Sequence, residues 1–127
     1  MVKSPVISLT IRAIVENEVE RFEVTPSEAH YADTIYVYFT VRNLSGTTQT
    51  RRVIINQMWN GAETDIYDRT FENIEPRQAI DGTAITYKYN DSGDDTIVMN
   101  VYYYNETTGQ WINIPEDTRT ATVTLLP

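Results

Sequence analysis

Apolar and polar residues alternate along most of this chain with a period of two, and no long stretch carries the period of a helix. Ile7, Leu9, Ile11, Ala13 and Val15 fall on one face of an extended segment, with Ser8, Thr10 and Arg12 on the other. In TIYVYFTVRN the inward set is Ile35, Val37, Phe39 and Val41, while Tyr36, Tyr38, Thr40 and Arg42 take the opposite side. Val53 to Trp59 is a further strand-like run whose register the pattern leaves open. Asp65 to Phe71 is more polar and suits a sheet edge. Ile85, Tyr87 and Tyr89 alternate with Ala84, Thr86 and Lys88, and Ala121, Val123 and Leu125 alternate with threonines. Turn signals punctuate these runs: Thr25-Pro26-Ser27, Asn43 to Gly46, Asn60-Gly61, Glu75-Pro76, Asp81-Gly82, Asp91 to Gly93 and Thr108-Gly109, so that all five glycines fall in turns. Strands of this length and spacing predict an antiparallel sandwich or barrel with at most a turn or two of helix. The core is expected to include Leu9, Ile11, Val37, Phe39, Val41, Ile85, Tyr87, Val101 and Val123.

The stretch TIVMNVYYYNETTGQWINI concentrates large aromatics. Ile97, Met99, Val101 and Tyr103 share its more apolar face and are expected inward, with Tyr103 in the core or at its margin. Val98, Asn100, Tyr102 and Tyr104 then point outward. Asn105 to Gln110 reads as a hairpin loop, Gly109 supplying a positive φ where one is needed, and Trp111 begins the return strand.

This layout resembles the CARDB-type branch of immunoglobulin-like sandwiches. TPSEAHYADTIYVYFTVRNLSG resembles that family's second-strand block, FENIEPRQAIDGTAITYKYN its later turn and strand, and IVMNVYYY its near-terminal strand. The resemblance covers about residues 5–125. One departure is Arg77 after Pro76, where the family pattern prefers glycine; Asp81-Gly82 is expected to take over that turn. The resemblance implies a single all-β domain over 1–127, an antiparallel immunoglobulin-like β-sandwich of seven or more strands in two sheets. It implies an adhesion or assembly module without catalytic residues.

Composition narrows the functions. A length of 127 residues is enough for one proper core. With no cysteine, disulfides and thiolate metal sites are excluded. A net charge of −8 repels phosphate backbones, which disfavours nucleic acid as a partner. Arg12, Ser8 and Thr10 interrupt the N-terminal apolar residues, so neither a signal peptide nor membrane insertion is expected. If Met1 is the natural start, synthesis is cytosolic.

Candidate chemistry is sparse. His30 is the single histidine, no G-x-S-x-G elbow accompanies it, and a turn or surface role is expected. The loop Asn90 to Asp95 offers Asp91, Asp94 and Asp95 as oxygen ligands but lacks the EF-hand spacing, so no metal and no other cofactor is assigned. Sequons begin at Asn43, Asn90 and Asn105, each in an expected turn. The remaining candidate is an aromatic surface made of Tyr102, Tyr104 and Trp111 on one strand pair and Tyr36 and Tyr38 on another, expected in different sheets. These features point to a non-catalytic structural or interaction module. The first expectation is a virion accessory protein that decorates a capsid or tail, contacting assembly subunits or its own copies. The alternative is a cell-surface adhesion or carbohydrate-binding domain, with a glycan as ligand.

Overall fold

A computed structural model describes residues 16–59, 61–86 and 91–127. Leu9, Ile11 and Tyr87, the expected strand over residues 7–15, and the sequon at Asn90 therefore lie outside the described residues.

Among the described residues nine strands form two sheets: β1 (Asn17–Thr25), β2 (Glu28–His30), β3 (Tyr36–Asn43), β4 (Gln49–Trp59), β5 (Ala62–Ile74), β6 (Ala79–Ile85), β7 (Gly93–Asn105), β8 (Gln110–Asn113) and β9 (Arg119–Leu126). One turn of 3-10 helix, Pro115–Asp117, precedes β9. The smaller sheet has the order β1-β3-β6, and the larger has β2-β9-β7-β4-β5 with β8 alongside the end of β7. Every pairing is antiparallel except β2 with β9. The fold is the expected all-β, two-sheet sandwich. The chain changes sheets at the cis Thr25–Pro26 bond.

The core lies between the sheets. Val37, Phe39 and Val41 of β3 face Val53 and Ile55 of β4, Ile97, Met99 and Val101 of β7, and Val123 and Leu125 of β9; all are buried. Strand β4 keeps one phase throughout, with Arg51, Val53, Ile55, Gln57 and Trp59 inward, which settles the register left open by its sequence. Strand β5 is the polar edge, as expected, and runs longer than Asp65 to Phe71.

Three expectations are corrected. Ile85 is not in the core but 56% exposed, and Ala84 and Thr86 are buried in its place. The reason is steric. Phe39 meets Tyr67 and Phe71 of β5 edge-on, with ring centroids 5.3 and 6.3 Å apart. These rings fill the space against the middle of β6, and the strand takes the phase that sends Ile80, Gly82 and Ala84 inward and Ile85 outward. Gly82 is cross-strand from Phe39, and a Cβ there would lie 2.6 Å from the Tyr67 hydroxyl and 2.7 Å from the Phe39 ring. Gly82 is thus a strand residue and not a turn residue. The turn is made at Glu75–Gln78, closed by the Gln78 N–H donating to the Glu75 carbonyl at 3.0 Å. Arg77 itself holds the left-handed position at φ 71°, and its carbonyl accepts from Arg42 Nη1. The third correction adds β1, which the alternation reading passed over. Its pairing with β3 slips between Val19 and Arg21, so Val19 belongs to one phase and Phe22 and Val24 to the other.

Candidate functional site

The outer face of the small sheet is divided in two. At one end Arg42 donates to both oxygens of Glu20, at 2.8 and 3.1 Å, and these bonds hold the Glu20 carboxyl below the usual range. At the other end Tyr36 and Ile85 are cross-strand partners, 39% and 56% exposed. Tyr38, two residues along β3, stacks beside Tyr36 with centroids 6.2 Å apart. Its ring lies beneath the Arg21 guanidinium at 4.6 Å, and Arg21 pairs with Glu23 at 3.1 Å. The salt bridge and the cation cover Tyr38 and leave the Tyr36–Ile85 pair bare.

The other aromatic group lies on the large sheet, so the two predicted clusters are on different sheets. The β7–β8 register sets Tyr104 opposite Trp111, and their rings meet edge-on at 5.2 Å. Tyr104 is exposed, whereas Tyr102, paired with Arg52 on one side and Asn113 on the other, is half-buried. The Arg52 guanidinium sits 5.7 Å over the Trp111 ring and donates to both Asp68 oxygens, at 2.8 and 2.6 Å. That fork lowers the Asp68 pKa and raises that of Arg52. The hairpin turn has the expected form: Gly109 has φ 71°, and its N–H donates to the Asn105 carbonyl at 2.8 Å. Beside the hairpin is a recess of about 310 Å³ lined by Thr48, Gln49, Thr50, Tyr104 and Glu106.

The remaining candidates have local roles. His30 ends β2 and opens a tight turn: its backbone N–H donates to Asp33 Oδ2 at 2.9 Å, and its ring packs on Tyr31 at 4.5 Å. The Asn43 amide is buried and donates to the carbonyls of Thr47, Ile74 and Glu75, which leaves no room for a glycan. Asn105 caps the hairpin turn, its Oδ1 accepting the Thr107 and Thr108 N–H groups. Asp94 and Asp95 diverge across β7, the first exposed and the second buried. Among the described residues no three His, Asp or Glu side chains are grouped to hold a metal ion, and no helix is long and apolar enough to cross a membrane.

Sequence reasoning missed the buried polar groups. Strand alternation splits the adjacent Arg51 and Arg52, sending Arg51 to the interior, where it is 1% exposed. Its Nε donates to Asn17 Oδ1 at 3.1 Å, and its Nη1 donates to Gln49 Oε1 at 3.2 Å and to the Thr50 carbonyl at 2.9 Å. Asn17 in turn donates to Asp117 Oδ2 at 2.8 Å. Burial pulls the Arg51 pKa down to about 10 and pushes that of Asp117 up. Burial likewise raises Asp95 to about 6, against the opposing effect of the Gln57 amide that donates to its Oδ2 at 2.8 Å.

Asp95 therefore carries a pH signature. The native state holds its proton more tightly than the unfolded chain does. The cost of burying the charge is complete above about pH 6, shrinks as pH falls from about 6 toward the ordinary 3.8, and is absent below that. Asp95→Asn keeps an acceptor for Gln57 and removes the charge. It is expected to add about 2–3 kcal/mol of stability at pH 8 and almost nothing below pH 4. Urea midpoints of both proteins at the two pH values check this; an equal difference at both would contradict it.

No family model matches the chain, and no curated protein sequence matches it. Solved structures do share its fold. A CARDB domain from Pyrococcus furiosus, in complex with di-metal ions, matches with a TM-score of 0.62 at 19% identity, over 87% of this chain and 92% of that one. A β-glucosidase from Listeria innocua in complex with glucose matches with 0.61 at 11% identity, over 88% of this chain. An alkylpurine DNA glycosylase from Pseudomonas fluorescens, bound to DNA containing an abasic site analog, matches with 0.54 at 15% identity, also over 88% of this chain. The match covers only 16% and 31% of the two enzymes' own lengths, so in each the sandwich is one part of a larger protein. The chain has the two-sheet β-sandwich fold of CARDB domains, as its sequence blocks suggested.

Proposed function

We propose that this chain is a non-catalytic interaction module and that its working surface is the bare end of the small sheet, where Tyr36 and Ile85 lie side by side with Tyr38 behind them. The observation that carries this reading is the exposure of Ile85. A large aliphatic side chain, more than half exposed beside an exposed tyrosine, gains little from folding, but a partner surface can bury both. The neighbouring charges, Arg21 and Glu23, neutralise each other, so among the described residues the patch is apolar and without net charge, within a chain of net charge −8. That combination suits a protein partner with its own apolar patch, and it suits phosphate or nucleic acid poorly. The occurrence of similar sandwiches as parts of larger proteins supports the reading of a module. Decoration of a capsid or tail, or adhesion at a cell envelope, are the settings we propose for such a module. Finding the native protein in purified particles or on envelopes decides between them.

The double substitution Tyr36→Ser with Ile85→Ser tests the surface. Unfolding free energy is expected to change by less than about 1 kcal/mol, because both side chains are exposed. Association with particles or envelopes is expected to fall by about tenfold or more. Undiminished association in the folded variant would contradict the proposal.

A further inference from the structure

We propose that the recess beside the β7–β8 hairpin binds an uncharged saccharide ring, at a site separate from the Tyr36–Ile85 surface. At about 310 Å³ its volume lies at the lower end of the range for small-ligand pockets. Tyr104 lines it and is 42% exposed, yet its ring is braced: Trp111 meets it edge-on at 5.2 Å. The Tyr104 hydroxyl reaches the hairpin turn, where a Cβ at Gly109 would lie 3.6 Å from it. The ring is thus held in place without being covered, which is what stacking on the C–H face of a sugar requires.

The polar lining is also set in advance. Gln49 donates to Thr47 Oγ1 at 2.6 Å and to Ser45 Oγ at 3.3 Å, and its Oε1 accepts from Arg51 Nη1 at 3.2 Å. The same Arg51 nitrogen holds the Thr50 carbonyl at 2.9 Å. A fully buried arginine therefore fixes two of the lining residues from behind and acts as a positioning residue. Thr48 and Thr50 bring hydroxyls, and Glu106 brings a carboxylate able to accept from vicinal hydroxyls.

The same groups set the ligand class. Glu106 disfavours anions. The nearby Arg52 is engaged by Asp68 and Trp111, so it does not offset that preference. A single lining ring is not the aromatic cage that quaternary ammonium groups use. A neutral polyhydroxylated ring fits both the stacking surface and the acceptors.

The test is titration calorimetry of the full chain with maltohexaose, cellohexaose, laminarihexaose, xylohexaose, mannohexaose and chitohexaose at millimolar concentration. At least one is expected to bind. For that probe, Tyr104→Ala and Glu106→Ala are each expected to weaken binding about tenfold or more, and Tyr104→Phe to retain it. Arg51→Met, with its fold checked by circular dichroism, is expected to weaken binding as well. Tyr36→Ser with Ile85→Ser is expected to leave it unchanged, which keeps this site distinguishable from the protein-contact surface. Failure of all six probes to bind overturns the proposal, as does binding that survives Tyr104→Ala and Glu106→Ala.

Discussion

Replacing Asn17 by Ala is expected to lower the unfolding free energy by about 3–5 kcal/mol, the sum of two hydrogen bonds to charged groups, more than replacing the buried Arg51 by Met. Asn17 is the bridge of a buried charge network: one end of its amide accepts from Arg51 and the other donates to Asp117. Without it both charges stay in the interior and each loses a hydrogen bond. Arg51→Met removes one of the charges and keeps most of the packed volume. Its cost is that of the acceptors left behind on Asn17, Gln49 and Thr50 and of the lost charge beside Asp117, about 1–3 kcal/mol. Urea denaturation of the two variants gives the order directly, provided the m-values stay equal. If Arg51→Met costs more than Asn17→Ala, the bridge is not what stabilises this end of the sandwich.

Phe39→Ala is expected to cost about 3–5 kcal/mol, as large-to-small changes at fully buried aromatic positions do. Phe39 is 1% exposed and makes edge contacts to Tyr67 and Phe71, so its removal opens a void that rings from one edge strand border. The void lies against Gly82, which has no side chain to fill it. Thermal or urea unfolding measures the loss. A cost below about 1.5 kcal/mol would mean that the aromatic cluster collapses around the gap. Because Gly82 borders the same space, Gly82→Ala is less harmful in the Phe39→Ala background than in the parent, a coupling that a double-mutant cycle reads.

Strands with an unbroken period of two could be read from the sequence. Val37, Phe39 and Val41, then Ile97, Met99 and Val101, then Val123, are buried as their alternation predicts. The reading failed where another constraint outranked hydrophobicity. In β6 the close approach of Phe39 and Tyr67 admits only glycine at position 82, and that phase puts Ile80 and Ala84 in and Ile85 out. In β1 a bulge shifted the phase between Val19 and Phe22. Arg77 takes a left-handed turn position usually given to glycine, which no composition rule predicts. The aromatic positions outside the core were also legible, since outward alternation placed Tyr36, Tyr38 and Tyr104. Their significance was not, because only the three-dimensional arrangement shows Arg21 covering Tyr38, Arg52 over Trp111, and Ile85 bare beside Tyr36. The buried network of Asn17, Arg51 and Asp117 joins residues 100 apart in sequence, and no local pattern signals it.

The central claim is that the Tyr36–Ile85 end of the small sheet meets a protein partner. It is tested most directly by placing a photo-cross-linking phenylalanine analogue at position 85, with a control at the exposed Thr122 of the opposite sheet. Both proteins are irradiated in their native setting. The account predicts one discrete protein adduct from position 85 that is absent from position 122 and is abolished by Tyr36→Ser. Equal adducts from the two positions, or an adduct from position 122 alone, would contradict it.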